Sequence, residues 1–177
     1  MISSAEMTLS LTQISDLDFV IETEQLFDNK AYISQWTRGE HINTIERNDR
    51  EHWLIASSVT GEKLGYLISF DLTQQNCGTY IKRIALNNKG QGIGRKAIAL
   101  FLQHTFLSMS PYVWLCVYPE NIRGQRCYQA LGFSSLVSSS IPSLAEKERH
   151  VRIAENAPID NFILMHIAKS SYERLIA

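Results

Sequence analysis

A glycine-rich segment, Lys89–Arg95, constrains the fold of this chain more than any other part of its sequence. It follows Thr79–Leu86, whose apolar and aromatic residues predict a strand, and it leads into apolar residues at helical spacing that run to about Leu107. Glycines let the backbone approach a ligand closely, and a helix that begins here directs unpaired N–H groups and a partial positive charge outward. The segment therefore predicts a phosphate-binding turn between a strand and a long helix.

Two common phosphate-binding motifs do not match this segment. The dinucleotide fingerprint G-x-G-x-x-G would need a glycine in place of Arg95 or Ala97, and the nucleotide P-loop would need Gly-Lys followed by Ser or Thr. The pattern that does match is a basic residue followed by x-x-Gly-x-Gly, in which successive amides can cradle a pyrophosphate. A glycine-rich turn that binds no ligand is the alternative, because short motifs also occur by chance.

A second pattern follows after one more strand, which Tyr112–Tyr118 predicts. Asn121 then precedes a short helix that contains Tyr128 and ends near Gly132-Phe133. Together, and in this order, the two patterns resemble those of the GNAT family, the Gcn5-related N-acetyltransferases, over roughly residues 65–133.

Within that family, the chain is most similar to a bacterial subset related to the ribosomal-protein acetyltransferases. Lys82–Leu86 and the connection Asn87-Asn88 match the strand and the short link that precede the loop in that subset. Two positions depart from the family pattern. Lys89 stands where Arg or Gln is commoner, which keeps a positive charge but loses the planar fork of Arg. Gly124 stands where Ala is common, which weakens the helix slightly.

The resemblance implies an α/β (α+β) fold of the GNAT type. We expect a mixed, mostly antiparallel twisted sheet flanked by helices on both faces, with a splay between Thr79–Leu86 and Tyr112–Tyr118 that admits the cofactor. Residues 1–177 would form a single acetyltransferase domain. Its acceptor side would lie in residues 6–60, its acetyl-CoA-binding core in residues 61–137 and its C-terminal strands in residues 138–177.

The resemblance also implies that acetyl-CoA is the acyl donor. The strand end would hold the pantetheine arm, the loop amides would hold the pyrophosphate, and the asparagine of the second pattern would contact the arm. The residues expected to bind acetyl-CoA are Ile84, Ala85, Leu86, Lys89, Gly90, Gln91, Gly92, Ile93, Gly94, Arg95, Asn121 and Tyr128.

Tyr128 matches the general acid of the family. A phenol with a pKa of ~10 stays protonated at neutral pH, so it can donate a proton to the departing thiolate. The alternative is a tyrosine that only packs in the core.

Glu24 and His41 are candidate bases in an N-terminal helical region, whose first helix we expect Ser15 to cap. A solvated helix face is the simpler account of Glu24.

Composition excludes several other classes of protein. The 177 residues carry a net charge of -1, so the basic surplus typical of nucleic-acid and anionic-membrane binders is missing. An odd number of cysteines without close spacing argues against a disulfide framework and against a metal site. We found neither a signal peptide nor a run of about 20 apolar residues, and we therefore expect a cytoplasmic protein.

We expect the partner to be an amine acceptor, either a small molecule or a protein N-terminus, and neither a nucleic acid nor a membrane. The family often pairs protomers through a sheet edge or the C-terminal strand, which here is predicted at 162–167, so a homodimer is a further expectation. Two other functions stay open. One is a catalytically weak acyl-CoA-binding regulatory protein of the same fold, and the other is a plain interaction module.

Overall fold

The described strands of the protein form one mixed sheet. The computed structural model describes residues 1–70, 78–108, 110–135 and 162–176. The strands are β1 (Ile2–Ser3), β2 (Met7–Leu11), β3 (Arg50–Ser57), β4 (Lys63–Phe70), β5 (Thr79–Leu86), β6 (Tyr112–Val117), β7 (Ser134–Ser135) and β8 (Ile163–Ala168). They lie side by side in the order β1-β2-β3-β4-β5-β6-β8-β7. Neighbouring strands are antiparallel, except that β5 and β6 run parallel.

Helices cover both faces of this sheet. They are α1 (Leu17–Gln25), α2 (Phe27–Lys30), α3 (Arg38–Ile45), α4 (Ile93–Leu107), α5 (Ile122–Gln129) and α6 (Lys169–Ile176). On one face, Leu17 of α1 and Tyr66 of β4 belong to one buried apolar cluster. On the other face, Phe101 of α4 and Leu67 of β4 belong to a second cluster. The predicted fold, a mostly antiparallel mixed sheet with helices on both faces, is confirmed.

The first helix begins differently from the prediction. Ser15 lies inside a short 3-10 turn, Ile14–Asp16, and α1 begins only at Leu17. Asp16 Oδ2 accepts a hydrogen bond from Gln13 N at 2.8 Å. The prediction that Ser15 caps the helix is therefore wrong, because the preceding 3-10 turn is held by the carboxylate of Asp16.

The predicted C-terminal strand at 162–167 is confirmed as β8. This strand pairs with β6 along its whole length, and Met165 and His166 also pair with β7 on its other side. β8 is therefore an internal strand where β7 pairs with it. The remainder of the C-terminal part predicted to contain strands, residues 138–161, lies outside the described residues.

The sheet opens between β5 and β6. Thr79–Ile81 pair with Val113–Leu115, and the ladder between the two strands ends there. On its other side, β5 stays paired with β4 as far as Leu86. The strands therefore diverge over Lys82–Leu86, which confirms the predicted splay.

Candidate active site

The glycine-rich segment forms a tight turn beside open space. Gly90 has φ 113° and Gly92 has φ 71°, and Gln91 between them has φ 52°. All three values lie in the left-handed region, which glycine adopts without strain. A Cβ atom built on Gly90 or Gly92 would meet nothing within 4 Å. The backbone conformation requires these glycines, and a ligand has room beside them.

This turn leads directly into the N-terminus of α4. Gly92 is the N-cap residue, and its carbonyl accepts a hydrogen bond from Lys96 N at 2.9 Å. Gly94 and Arg95 belong to the first turn, where a helix offers no carbonyl to its own amides. Unpaired amides and the positive end of the helix dipole together favour an anion at this position.

A cavity of about 420 Å³ lies in front of the turn. We call it the larger cavity, because a smaller one adjoins it at Tyr128. It is bounded by α2, the end of β5, the glycine-rich turn and α5. Ten of the residues predicted to bind acetyl-CoA line it, namely Ile84, Leu86, Lys89, Gly90, Gln91, Gly92, Gly94, Arg95, Asn121 and Tyr128. Ala85 and Ile93 do not line it, because Ala85 is buried on the α1 face and Ile93 packs against the core on the α4 face.

Along the open edge of β5, every second residue directs its backbone N–H and C=O groups into the splay. Leu86 O accepts a hydrogen bond from Asn29 Nδ2 at 2.9 Å, whereas Asn87 N donates to Leu64 O of β4 at 3.0 Å. Backbone groups of a strand alternate in direction, so the N–H and C=O groups of Ile84 point away from β4, as those of Leu86 do. Those of Ala85 point towards β4.

Four cationic side chains surround the larger cavity. Lys89 Nζ donates to Asp28 O at 2.6 Å and lies 4.0 Å from Asp28 Oδ2. Burial lowers the pKa of Lys89, and the charge of Arg123 acts in the same direction. Arg95, Arg123 and Arg126 also line the cavity. Sequence analysis missed Arg123 and Arg126, although their spacing of three residues within α5 places them on one helix face.

Asn121 and Gly124 form a close contact at the start of α5. Asn121 Oδ1 accepts a hydrogen bond from Gly124 N at 2.9 Å, so the asparagine caps the helix. A Cβ atom at residue 124 would lie 2.8 Å from Asn121 Nδ2. The glycine that departs from the family pattern therefore allows the capping side chain to lie close to the helix.

Tyr128 lies where the larger cavity meets a second, smaller one. The smaller cavity, of about 80 Å³, lies at the splay and is bounded by β5, β6 and the loops beside them. The residues that line both cavities are Tyr32, Ile33, Ile84, Asn121 and Tyr128. Burial raises the pKa of Tyr128 above its ordinary value of 10.0, so the phenol is protonated throughout the neutral range.

Glu24 is buried and lines neither cavity. It is 1% exposed, so the interpretation of a solvated helix face is wrong. Its Oε1 accepts hydrogen bonds from Tyr66 and from Arg83 Nη1, the latter at 2.7 Å, and its Oε2 accepts one from Trp36 N at 3.0 Å. Burial alone would raise the pKa of Glu24, but the approach of His41, these hydrogen bonds and the charge of Arg83 outweigh it and lower the pKa to about 2. Such a carboxylate is a weak base.

His41 belongs to the same buried network and also lines neither cavity. Its Nε2 lies 3.4 Å from Glu24 Oε1, and its Nδ1 lies 3.1 Å from His52 Nε2. His52 Nδ1 in turn lies 2.9 Å from Thr12 Oγ1. Burial lowers the pKa of His52 to about 3, and the neighbouring His41 and Arg83 contribute. The network ties α1 and α3 to the sheet.

A comparison with models of known protein families identifies the family of this chain. A model of the acetyltransferase (GNAT) family matches residues 17–133, a range that contains both sequence patterns and the splay. The chain belongs to the GNAT acetyltransferase family. The comparison of this GNAT chain with curated proteins finds no match.

Several solved structures share the fold of this GNAT chain at low sequence identity. Spermidine N-acetyltransferase from Vibrio cholerae, in complex with CoA and spermine, superposes with a TM-score of 0.72 at 17% identity, over 96% of this chain and 99% of that one. An apo nucleotide-linked sugar GNAT, FdhC, gives 0.73 at 16% identity, over 98% and 92%. A domain from Methanocaldococcus jannaschii gives 0.70 at 15% identity, over 93% and 99%. At these identities the likeness concerns the fold alone.

Two further observations concern the described residues. None of their helices is long and apolar enough to cross a membrane. No group of three or more His, Cys, Asp or Glu side chains among them could hold a metal ion.

Proposed function

We propose that this GNAT protein transfers an acetyl group from acetyl-CoA to a primary amine, either of a small molecule or of a protein N-terminus. The observation that carries the proposal is the position of Tyr128 and Asn121, which line both the larger and the smaller cavity. Acetyl-CoA would occupy the larger cavity and the amine the smaller one, so that the thioester and the amine would meet beside Tyr128.

The glycine-rich turn would hold the pyrophosphate of acetyl-CoA. In this proposal the amides of Gln91, Gly92, Gly94 and Arg95 donate to the phosphate oxygens, and the side chains of Lys89, Arg95, Arg123 and Arg126 add positive charge. Lys89 would exchange its present contact with Asp28 for the ligand. Among the described residues that line the larger cavity, these four cations outnumber the carboxylates, of which Asp28 carries the only one.

The open edge of β5 would hold the pantetheine arm. The backbone groups of Ile84 and Leu86 that point away from β4 can pair with the amides of an extended ligand, as they would with an added strand. We propose that an N–H group of this edge also polarises the thioester carbonyl. The side chain of Asn121 would contact the same arm while it continues to cap α5.

Tyr128 would act as the general acid. Because burial raises its pKa, the phenol keeps its proton at neutral pH and can transfer it to the departing thiolate of CoA. Glu24 is better suited to position Arg83 and the backbone of Trp36 than to accept a proton, since its oxygens already accept several hydrogen bonds.

The acceptor is proposed from the lining of the smaller cavity. Among its described residues are two basic side chains, Lys82 and Arg83, and four tyrosines, while none carries a carboxylate. A polyamine such as spermidine would be held by carboxylates, whereas an amine with an apolar or aromatic body suits a lining of this kind. We therefore expect benzylamine to be acetylated faster than spermidine.

The decisive experiment is calorimetric titration with acetyl-CoA, followed by measurement of CoA release with benzylamine, spermidine and a peptide with a free N-terminus. Gly92→Glu would place a carboxylate in the proposed pyrophosphate site. Gly61→Glu is the matched control, because Gly61 has φ 73° and equally open surroundings in the β3–β4 turn. We expect micromolar binding by the wild type and by Gly61→Glu, and loss of binding in Gly92→Glu.

Other outcomes of this experiment have definite meanings. A folded wild type that binds no acetyl-CoA would overturn the proposed function. Tight binding without CoA release to any amine would favour the catalytically weak acyl-CoA-binding protein instead. A protein N-terminus as the best acceptor would support the proposed kinship with ribosomal-protein acetyltransferases.

We further propose that the protein works in the cytoplasm, which suits the Cys127 thiol, since this cysteine forms no disulfide. The proposed homodimer would use the part of β8 beyond its pairing with β7. Light scattering at several protein concentrations tests the dimer directly.

A further inference from the structure

Transfer to an amine requires a group that accepts a proton in the smaller cavity. Amines are mostly protonated at neutral pH and cannot attack a thioester until a proton is removed. Glu24 and His41 line neither cavity, so the base must be sought among residues that do. The described side chains of the smaller cavity that can titrate are those of Tyr32, Tyr80, Lys82, Arg83, Cys116, Tyr118 and Tyr128.

The strand register singles out Lys82 within this set. Ile68 and Ser69 are consecutive in β4, yet they pair with Arg83 and Ile81 of β5. Lys82 is therefore the extra residue of a β-bulge. A bulge interrupts the alternation of a strand and redirects the side chain it carries, and bulges are common next to active sites.

The two neighbours of the bulge show how strongly it redirects β5. Ile81 packs in the cluster on the α4 face, whereas Arg83 donates to Glu24 on the α1 face. In a regular strand, residues two apart would face the same side. Lys82 lies between them, immediately after the last pair that joins β5 to β6, and its side chain lines the smaller cavity together with Tyr128.

The surroundings of Lys82 favour the neutral form of its side chain, which can accept a proton. Burial lowers the pKa of Lys82 to about 8, and the charge of Arg83 acts in the same direction, while the thiol of Cys116 on β6 opposes them. The other described titratable groups that face this cavity are Tyr80 of β5, Tyr128 of α5, and Tyr32 and Tyr118 in the adjoining loops. At pH 7, roughly a tenth of a lysine with such a pKa is neutral and able to accept a proton.

We propose that Lys82 is the catalytic base of this enzyme, a role that rests on the proposed function. Its neutral Nζ takes one proton from the acceptor ammonium, and the freed nitrogen attacks the carbonyl carbon of the thioester. The new C–N bond forms, the C–S bond breaks, and the sulfur takes the hydroxyl proton of Tyr128. The proton that leaves the new amide nitrogen restores Tyr128, and Lys82 releases its proton to water.

The first test requires no acceptor. We would follow the side-chain NMR signals of lysine through a pH titration of the protein with bound CoA, and assign Lys82 by its absence in Lys82→Arg. We expect the Lys82 signal to titrate near pH 8, well below the ordinary lysine pKa of 10.5. A Lys82 signal that titrates at the ordinary lysine pKa of 10.5 would overturn the proposal.

The second test is the pH profile of kcat with acetyl-CoA and benzylamine. Lys82→Arg keeps the positive charge but cannot become neutral, and Lys30→Arg is the matched control on the exposed surface of α2. We expect Lys82→Arg to lower kcat about a hundredfold and to abolish the rise of kcat around pH 8, with an unchanged affinity for acetyl-CoA. Lys30→Arg should match the wild type.

This design separates the inference from the proposed function. If the wild type acetylates benzylamine and Lys82→Arg keeps both its kcat and the rise near pH 8, the role of Lys82 is disproved while the acetyltransferase stands. If the wild type neither binds acetyl-CoA nor releases CoA, both fail. Thermal unfolding checks that Lys82→Arg is folded, and should it be unfolded, Lys82→Gln and the NMR titration of the wild type decide the question.

Discussion

Arg83 Nη1 lies 2.7 Å from Glu24 Oε1, and the two side chains are only 3% and 1% exposed. The same guanidinium donates to Ser34 O at 2.9 Å and lies 4.0 Å above the ring of Trp36. This buried pair joins α1 to the bulged part of β5 and holds the connection that forms one wall of the smaller cavity. Glu24 therefore holds Arg83 and the backbone of Trp36 in place.

Glu24→Gln should destabilise the protein. The substitution leaves the buried guanidinium of Arg83 without its anionic partner, and the loss of one member of a buried ion pair costs about 3–5 kcal/mol. Urea unfolding should show this loss, while Glu22→Gln, an exposed change on the same helix, should behave as the wild type. Equal stabilities of the two variants would contradict the structural role of Glu24.

Acid should destabilise the protein in two overlapping ranges. The folded state lowers the pKa of His52 from 6.5 to about 3, so the unfolded state binds a proton first and stability falls as the pH drops from 6.5 towards 3. The folded state also lowers the pKa of Glu24 from 4.5 to about 2, so its contribution is present above pH 4.5 and is lost towards pH 2.

The variant His52→Asn separates these ranges. It should flatten the dependence of unfolding free energy on pH between 6.5 and about 4.5 and leave the lower range in place. His104→Asn, a change at a half-exposed histidine of α4, is the control. A wild type whose unfolding free energy stays constant between pH 7 and pH 5 would disprove the assignment to His52.

Tyr128→Phe should lower kcat about a hundredfold and leave the affinity for acetyl-CoA nearly unchanged, because only the proton donor is removed. Tyr172→Phe, on α6 and outside both cavities, is the comparison variant. Steady-state kinetics with acetyl-CoA and benzylamine, together with calorimetry, provide both quantities. An unaltered kcat in Tyr128→Phe would exclude the phenol as general acid.

Gly124→Ala sets two effects of similar size against each other. Alanine favours a helix over glycine by about 1 kcal/mol. The new Cβ would displace the side chain of Asn121, however, and the loss of an N-cap costs about 1 kcal/mol. Unfolding free energy should thus change by less than about 1 kcal/mol, while KM for acetyl-CoA should rise severalfold because Asn121 has moved. An unchanged KM would show that the position of Asn121 does not matter for binding.

The local features of the site could be predicted from the sequence because each depends on neighbouring residues. The turn at Gly90–Gly92, the start of α4 and the cap at Asn121 follow from residue type and short spacing. The ion pair between Glu24 and Arg83 could not be predicted, because the partners are 59 residues apart and no spacing rule connects them. Treating Glu24 as a residue on a solvated helix face failed for that reason.

The bulge at Lys82 was missed for a different reason. One extra residue shifts the alternation of β5 by a single position, and the apolar pattern of Thr79–Leu86 is too dense to reveal the shift. Arg123 and Arg126 were overlooked although a helical projection of α5 would have placed them on the side that faces the loop. Predicting the position of Lys82 therefore requires the pairing of β5 with β4, because the sequence of β5 alone does not reveal the bulge.

The splay has a thermodynamic consequence for the whole molecule. Three residue pairs, between Thr79–Ile81 and Val113–Leu115, form the backbone ladder that joins β1–β5 to β6–β8. A ligand whose amides pair with the open edge of β5 would add hydrogen bonds beside this short ladder. A ligand that binds only the folded state stabilises that state against unfolding. Acetyl-CoA should thus raise the melting temperature of the protein and slow amide hydrogen exchange at Ile84 and Leu86.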